Sequence, residues 1–433
     1  MIILAPGVQA QLGRIQAAVA AGQVLEAELG SLKVIETVPD CLPALTVIAQ
    51  CASQRDDHAR AAVYWAKARA VAPDDEGLLH HELLALANQG DFAGADAILL
   101  AHWRRCAKLN AENWLLWGHF KHRLAQPELA LKAWFRAISQ AQRQGRWLND
   151  ATTAPGVKQM VLTAMRHLAV GKTELLRSAL QPVRAQCGDA ALTRVDRAVS
   201  NYLGTSRDGP SDPRQRPKFL YIPGLPDAPY HDPHLQPWAR QLEEAFCTVR
   251  SEGLGLLSDH GQFESFLTFT SETKVSDYVG GDGERPSWDA FFFYRHGQRY
   301  DANHQRCPET SAVLESIDLC RIKGQAPEVC FSLLAPGSHI KPHYGVTNSR
   351  LVMHLPLKVP ADCALNIVGA GEHHWQEGRL MMFDDTYQHE AWNRSNETRL
   401  ILLMDCWNPH LTAEERLAIT RLVESISDFE NVF

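Results

Sequence analysis

Two short polar stretches in the C-terminal half carry the residue types that could do chemistry. The first runs Ser332-Leu-Leu-Ala-Pro-Gly-Ser-His-Ile-Lys-Pro-His343-Tyr-Gly345. The second, 46 residues on from histidine to histidine, runs Asp384-Asp385-Thr-Tyr-Gln-His389-Glu-Ala-Trp392, and Arg399 follows on the next apolar run. Histidines at strand ends can meet on one face of a β-fold although they lie far apart in the chain. Two such imidazoles suit a non-haem Fe(II) site. An arginine shortly past the second suits the distal carboxylate of 2-oxoglutarate, because its planar fork pairs both carboxylate oxygens. Ser332 would add a hydroxyl to the same carboxylate. The usual facial triad needs a carboxylate two residues after the first histidine, and that position is Gly345. On spacing alone a structural pair fits as well as a metal-binding one, since 19 histidines supply many chance pairs.

Short apolar runs must position these residues. From about residue 327 they read VCFSLLAP, SRLVMHLPLKV, ALNIV, RLMMF and TRLILLMDCW, separated by Gly, Pro, Asn or Asp. That pattern predicts antiparallel strands in a sandwich or barrel. Helical periodicity flanks them near 235–246 and 411–426, the latter with a capping-box spacing of Thr412 and Glu415.

The N-terminal half is different. Ala61, Trp65 and Ala68 recur as Ala95, Leu99 and His102, and again as Ala130, Trp134 and Ala137, with Trp114, Trp117 and Gly118 opening the third unit. The spacing resembles the 34-residue tetratricopeptide repeat, in which small residues let paired helices approach and an aromatic fills the groove between pairs. His102 departs from the small residue expected there, and a generic helical bundle is the alternative. A repeat array would offer a concave surface able to hold a peptide. Residues 158–204 continue as helix and are expected to cap the array. A Pro/Gly-rich run then breaks the pattern. The expected organisation is a helical region 1–205, a linker 206–217 and a β region 218–433.

Composition narrows the classes. A net charge of −7 gives no general electrostatic grip on nucleic acid. No uncharged apolar stretch approaches the roughly 18 residues of a membrane span. The first residues lack the basic start and apolar run of a secretory signal. The ten cysteines form no CxxC pair and no regular spacing. Buried or incidental thiols in a reducing cytoplasm are the expectation.

The motifs, taken in order, resemble a known family. His343-Tyr-Gly345, Asn348-Ser-Arg350-Leu-Val-Met-His354-Leu, Trp375-Gln-Glu-Gly378, Phe383-Asp-Asp385, His389-Glu-Ala-Trp392 and Arg399-Leu-Ile with Trp407-Asn-Pro409 are similar to the aspartyl/asparaginyl β-hydroxylases. The resemblance covers about 215–425. It implies an Fe(II)- and 2-oxoglutarate-dependent oxygenase with a jelly-roll (double-stranded β-helix) core, in some members preceded by tetratricopeptide-like helices, consuming O2. In that family glycine characteristically replaces the triad carboxylate, so Gly345 is expected. The resemblance implies that His343 and His389 ligate iron. It gives Ser332, His354 and Arg399 to 2-oxoglutarate and Arg350 to the acidic or amide side chain of the substrate. Asp385 would be a carboxylate close to the open coordination position. Relatives often read Arg-Leu-Arg-x-His, whereas this chain has Val352 at the second arginine. The implied partner is a peptide or protein bearing Asp or Asn, hydroxylated at the β-carbon. The alternatives are the same chemistry on a free amino acid or lipid acyl chain, and a non-catalytic helical scaffold with a degenerate β-domain.

Overall fold

The computed structural model describes residues 5–257, 262–267 and 275–430. Residues 1–4 of the N-terminal stretch and the last three of the expected β region lie outside them. The chain divides into two compact units between Lys172 and Thr173.

The N-terminal unit is built from successive helices α1 (Pro6–Ala20), α2 (Val24–Thr37), α3 (Leu42–Gln54), α4 (His58–Val71), α5 (Glu76–Gln89), α6 (Phe92–Cys106), α7 (Ala111–Arg123) and α8 (Pro127–Arg143), followed by α9 (Pro155–Cys187). Local chemistry sets their ends. Proline opens α1, α3 and α8, where its missing N–H costs nothing. The side chains of Asp57, Asp75, Asp91 and Asn110 accept first-turn N–H groups of α4 to α7. All nine residues of the three expected triplets are buried, His102 included. Gly118 of α7 has a packing reason: a Cβ there would come 2.2 Å from the Trp134 ring of α8. The repeat also begins one unit earlier than the sequence reading placed it. Ala27, Ser31 and Val34 of α2 occupy the same offsets 34 residues before α4 and are fully buried. Ser31 in place of the aromatic hid the match.

The expected cap and linker are placed differently. Leu176, Leu180 and Val183 of α9, with Leu192, Val195 and Ala198, pack on Leu220, Ile222 and the C-terminal helix Ala413–Glu430. They belong to the C-terminal unit because their apolar faces are completed there. The run 206–217 is tied down as well. Asn201 and Asp208 exchange two hydrogen bonds, and buried Gln215 donates through Nε2 to Asp384 Oδ2 at 2.7 Å.

Among the described residues the C-terminal unit has thirteen strands. In order they are β1 (Tyr230–His231), β2 (Glu264–Ser265), β3 (Val279–Gly280), β4 (Trp288–Arg295), β5 (Gln298–Arg299), β6 (Val329–Leu334) and β7 (Ser338–His343). They continue as β8 (Arg350–Lys358), β9 (Cys363–Ile367), β10 (Gly371–His373), β11 (Met381–Phe383), β12 (His389–Asn393) and β13 (Arg399–Trp407). The larger sheet runs β1-β11-β8-β13-β6-β4-β2 with β5 beside β4, and the smaller runs β10-β9-β12-β7-β3. Every named pairing is antiparallel.

Leu334 and Phe383 from the larger sheet and Ile340, Leu365 and Ala391 from the smaller share one apolar cluster, so the two sheets face each other. The other face of the larger sheet, with Phe331, Met353, Leu355, Leu402 and Met404, packs on helical residues Leu242 and Val249. Burial on both faces explains why β8 and β13 read as nearly continuous apolar runs. The expected capping box forms: Glu415 N donates to Thr412 Oγ1 at 3.2 Å and Thr412 N to Glu415 Oε2 at 3.0 Å.

One irregularity bears on the site. Asn393, Trp392 and Ala391 pair with Ser338, His339 and Ile340, and then the register shifts so that His389 lies opposite His343. Glu390 of β12 therefore faces two residues of β7, Lys341 and Pro342. That is a β-bulge, and proline suits its unpaired position because it has no N–H for the ladder.

Candidate active site

Between the two sheets lies a cavity of about 180 Å3. Side chains of Ser332, His343, Arg350, His354, Asp385, His389 and Arg399 all line it. The fold thus brings together every site residue expected from the sequence.

His343 and His389 come from facing positions of β7 and β12, with ring centroids 4.1 Å apart. Each Nδ1 sits against a backbone carbonyl, Lys341 O at 2.8 Å and Tyr387 O at 2.9 Å. A carbonyl only accepts, so Nδ1 carries the proton in both rings and Nε2 keeps its lone pair. Burial lowers the pKa of both, that of His389 to about 3 with His343 adding to the effect. Two neutral imidazoles with fixed tautomers and free lone pairs are what a metal ion needs from histidine.

At the opposite sheet, β6, β8 and β13 are neighbours and present Ser332, His354 and Arg399. Arg399 is 1% exposed. Among the described residues it has no carboxylate partner, and its Nε has no acceptor. Burial pushes its pKa down to about 10. Its guanidinium donates to Ser332 Oγ at 3.2 Å and lies 5.0 Å from the Trp375 ring centroid. Trp288 Nε1 also donates to Ser332 Oγ, at 2.9 Å, which leaves the hydroxyl hydrogen to be donated elsewhere. Trp375 Nε1 donates to His354 Nδ1 at 3.2 Å. The His354 proton is therefore on Nε2, a buried donor without a partner. Burial holds that ring neutral. Three donors and an uncompensated cation describe a receptor for a carboxylate.

The far end of the same sheet is charged differently. Arg350 donates to Asp405 Oδ2 at 2.7 Å while its buried Nε has no partner. Asp385 is half-buried, its Oδ1 is buried and unpartnered, and desolvation raises its pKa to about 7. Its carboxyl fills the space a side chain at 345 would take: a Cβ on Gly345 would lie 2.0 Å from Asp385 Cγ. The φ of Gly345 is ordinary, so the requirement for glycine is one of space.

Residues 243–409 match the family described as Aspartyl/Asparaginyl beta-hydroxylase. That segment is similar to the aspartyl/asparaginyl β-hydroxylases. Among curated relatives, the mouse Aspartate beta-hydroxylase domain-containing protein 2 is 32% identical over 209 residues, covering 47% of this chain and 58% of the relative. The Ornithine lipid ester-linked acyl 2-hydroxylase of Rhizobium tropici is 32% identical over 43% of this chain and 62% of its own. The human Aspartyl/asparaginyl beta-hydroxylase is 34% identical over 42% of this chain and 22% of its own. The chain spans about half the length of the first curated relatives it matches. Similar solved structures include MamA from Desulfovibrio magneticus RS-1, 17% identical over 41% of this chain and 98% of that one, with a TM-score of 0.31. A tetratricopeptide repeat protein from Parabacteroides merdae is 17% identical over 36% of this chain and 57% of that one, with a TM-score of 0.27.

Among the described residues no three His, Cys, Asp or Glu side chains form a metal cluster. The donor set stops at two imidazoles, with Asp385 beside Gly345. The tautomers of the histidine pair and the unneutralised Arg399 fit an iron ion with a bound 2-oxo diacid. Sequence reasoning missed Trp288, Glu328 and Asp405 as parts of this wall, and Trp375 as the donor that orients His354. Asp405 was readable: residues 399, 401, 403 and 405 alternate onto one face of β13, and all four line the cavity.

Proposed function

We propose that this chain is an Fe(II)- and 2-oxoglutarate-dependent dioxygenase that hydroxylates the β-carbon of an aspartyl or asparaginyl residue in a peptide or protein. The observation that carries this reading is Arg399, a buried cation without a carboxylate partner in the cavity that also holds the His343–His389 pair. The two facing antiparallel sheets are then the jelly roll of this oxygenase class.

When bound, iron, 2-oxoglutarate and O2 supply oxidative hydroxylation of an unactivated C–H bond, with succinate and CO2 as co-products. His343 and His389 would hold the ion through Nε2. Arg399, the Ser332 hydroxyl and His354 Nε2–H would hold the distal carboxylate, the three donors replacing its water shell. Asp385 would accept a hydrogen bond from water at the position that lacks a protein ligand. Arg350, steadied by Asp405, would turn Nε toward the substrate side chain. The apolar walls from Ile340, Leu365, Ile401 and Leu403 exclude bulk water.

The test is succinate formation from 2-oxoglutarate with iron, together with mass-spectrometric search for a peptide heavier by one oxygen atom. His389→Ala should abolish both. Retained turnover in that variant would overturn the metal assignment. A second reading, hydroxylation of an acyl chain, draws on Val352 making the cavity wall apolar and on the name of the Rhizobium relative. Oxygen incorporated into a fatty acyl group and not into peptides would favour it.

A further inference from the structure

The segment expected to be a linker runs past the mouth of the cavity. Arg216 N donates to Thr386 O at 2.8 Å, Lys218 N to Gly345 O at 3.2 Å and Phe219 N to Val346 O at 2.9 Å. Residues 215–220 are thereby bound along both polar stretches that carry the histidines. Arg216 N and Lys218 N both donate into the loops that follow the motif residues, and the chain bends at Lys218–Phe219. Both are exposed, whereas Gln215 and Leu220 on either side are buried. Among the described residues neither cation has an acidic partner. Arg216 lies 5.8 Å from the ring centroid of Tyr344, the residue after His343. The Lys218 charge also reaches His343, His389 and Asp385, disfavouring the protonated imidazoles and favouring the carboxylate.

On a chain with net charge −7, two unpaired cations fixed at the entrance of a reaction cavity call for an anion outside it. We propose that Arg216 and Lys218 form a specificity-determining rim that binds an acidic side chain of the peptide substrate, flanking the hydroxylated residue. This rests on the peptide reading above and names which peptides that site takes. The geometry limits the spacing. Neighbouring backbones lie about 5 Å apart, and His343 is two residues from Gly345, about 7 Å along the strand. An anion on the rim is therefore on the order of 10 Å from the histidines. At about 3.3 Å per residue that distance is two or three positions along an extended peptide.

The experiment uses the full-length protein and two sets of asparagine-centred peptides. One set carries Glu at positions up to three residues either side, and the other carries Gln in its place. The measured quantity is the ratio of kcat/KM for Glu over Gln peptides, with Kd for both sets measured by calorimetry independently of turnover. Exposed charge pairs are worth a factor of about two to five each, so the wild-type ratio should be roughly five- to twentyfold at low salt and fall as salt is added. It should peak at two or three positions. Arg216→Gln with Lys218→Gln should bring the ratio near one through KM, and Arg216→Lys with Lys218→Arg should restore it. A wild-type ratio near one, or a preference that survives the Gln pair, overturns the rim. If no peptide is hydroxylated although 2-oxoglutarate is consumed, the peptide reading fails, and the Kd comparison still decides whether the rim binds acidic chains. Binding to phosphatidylglycerol vesicles lost in the Gln pair, with no peptide preference, would assign the rim to a lipid headgroup and overturn the peptide proposal.

Discussion

Replacing Arg399 with methionine should have two effects of opposite sign. In the absence of ligand the guanidinium is buried without a counter-ion, and burial lowers its pKa to about 10. At about 1.4 kcal/mol per unit, the charged form carries a penalty of about 3 kcal/mol in the folded state. Arg399→Met removes that penalty together with one hydrogen bond to Ser332 Oγ, worth about 1 kcal/mol. Methionine fills similar length with adaptable apolar surface. The ligand-free protein should therefore gain about 1–2 kcal/mol, or about 2–8 °C in Tm for a unit of this size. Binding of 2-oxoglutarate should weaken at least about tenfold, since a charge-assisted hydrogen bond to a buried anion is worth about 1.5–3 kcal/mol. Thermal unfolding with and without 2-oxoglutarate reads both effects, because a ligand raises stability according to its concentration over Kd. A variant that loses stability without ligand while keeping wild-type affinity would refute the reasoning and make Arg399 a structural cation.

Three further outcomes follow from the geometry. Gly345→Ala should destabilise by about 1–3 kcal/mol, because its Cβ overlaps the Asp385 carboxyl, and the cost should shrink in an Asp385→Ala background, measured by a double-mutant cycle in urea. Burial raises the Glu328 pKa from 4.5 to about 7, so the folded state keeps a proton that the unfolded chain loses in that window. Stability should fall as pH rises from 4.5 through 7, by up to about 3 kcal/mol, and Glu328→Gln should flatten the slope of the urea midpoint against pH. A chain beginning at Thr173 should unfold cooperatively and bind 2-oxoglutarate, whereas one beginning at Arg216 should be markedly less stable, as circular-dichroism melts would show, because it lacks Leu176, Leu180, Val183, Val195 and Ala198.

The site was legible in the sequence to the extent that its residues sit in short motifs with fixed order. His343, His389, Ser332 and Arg399 could be named because each interrupts or ends an apolar run. What spacing could not give was who stands opposite whom. That Trp288 holds Ser332 and Trp375 holds His354 depends on pairings between segments 44 and 21 residues apart, and an aromatic residue reads as core until its ring N–H finds an acceptor. The helical repeats were legible where Trp or Ala marked the groove and illegible at Ser31, where a hydroxyl bonds to Ala27 O of its own helix instead of filling space. The linker was misplaced for a physical reason. Prolines, glycines and charges exclude a helix, but they do not exclude an irregular segment whose N–H groups bond to neighbouring loops, and 215–220 is such a segment.

The bulge in β7 has a consequence for how such a chain can lose its chemistry. Ile340 and His343 both reach the cavity although they stand three positions apart, an odd interval that a regular strand cannot place on one face. The extra residue inverts the alternation, and without the bulge His389 would stand opposite position 342. Ironing out the bulge with every residue kept would thus put Pro342 opposite His389 and turn the imidazole of His343 to the outer surface, while leaving both histidines, the glycine after them and every other motif intact in the text of the sequence. The metal-binding capacity of this sheet is stored in a backbone count. A one-residue slip of pairing would silence it more completely than many substitutions in the cavity wall, and a family member judged by its motifs alone, with its strand register unread, would be mistaken for a working one.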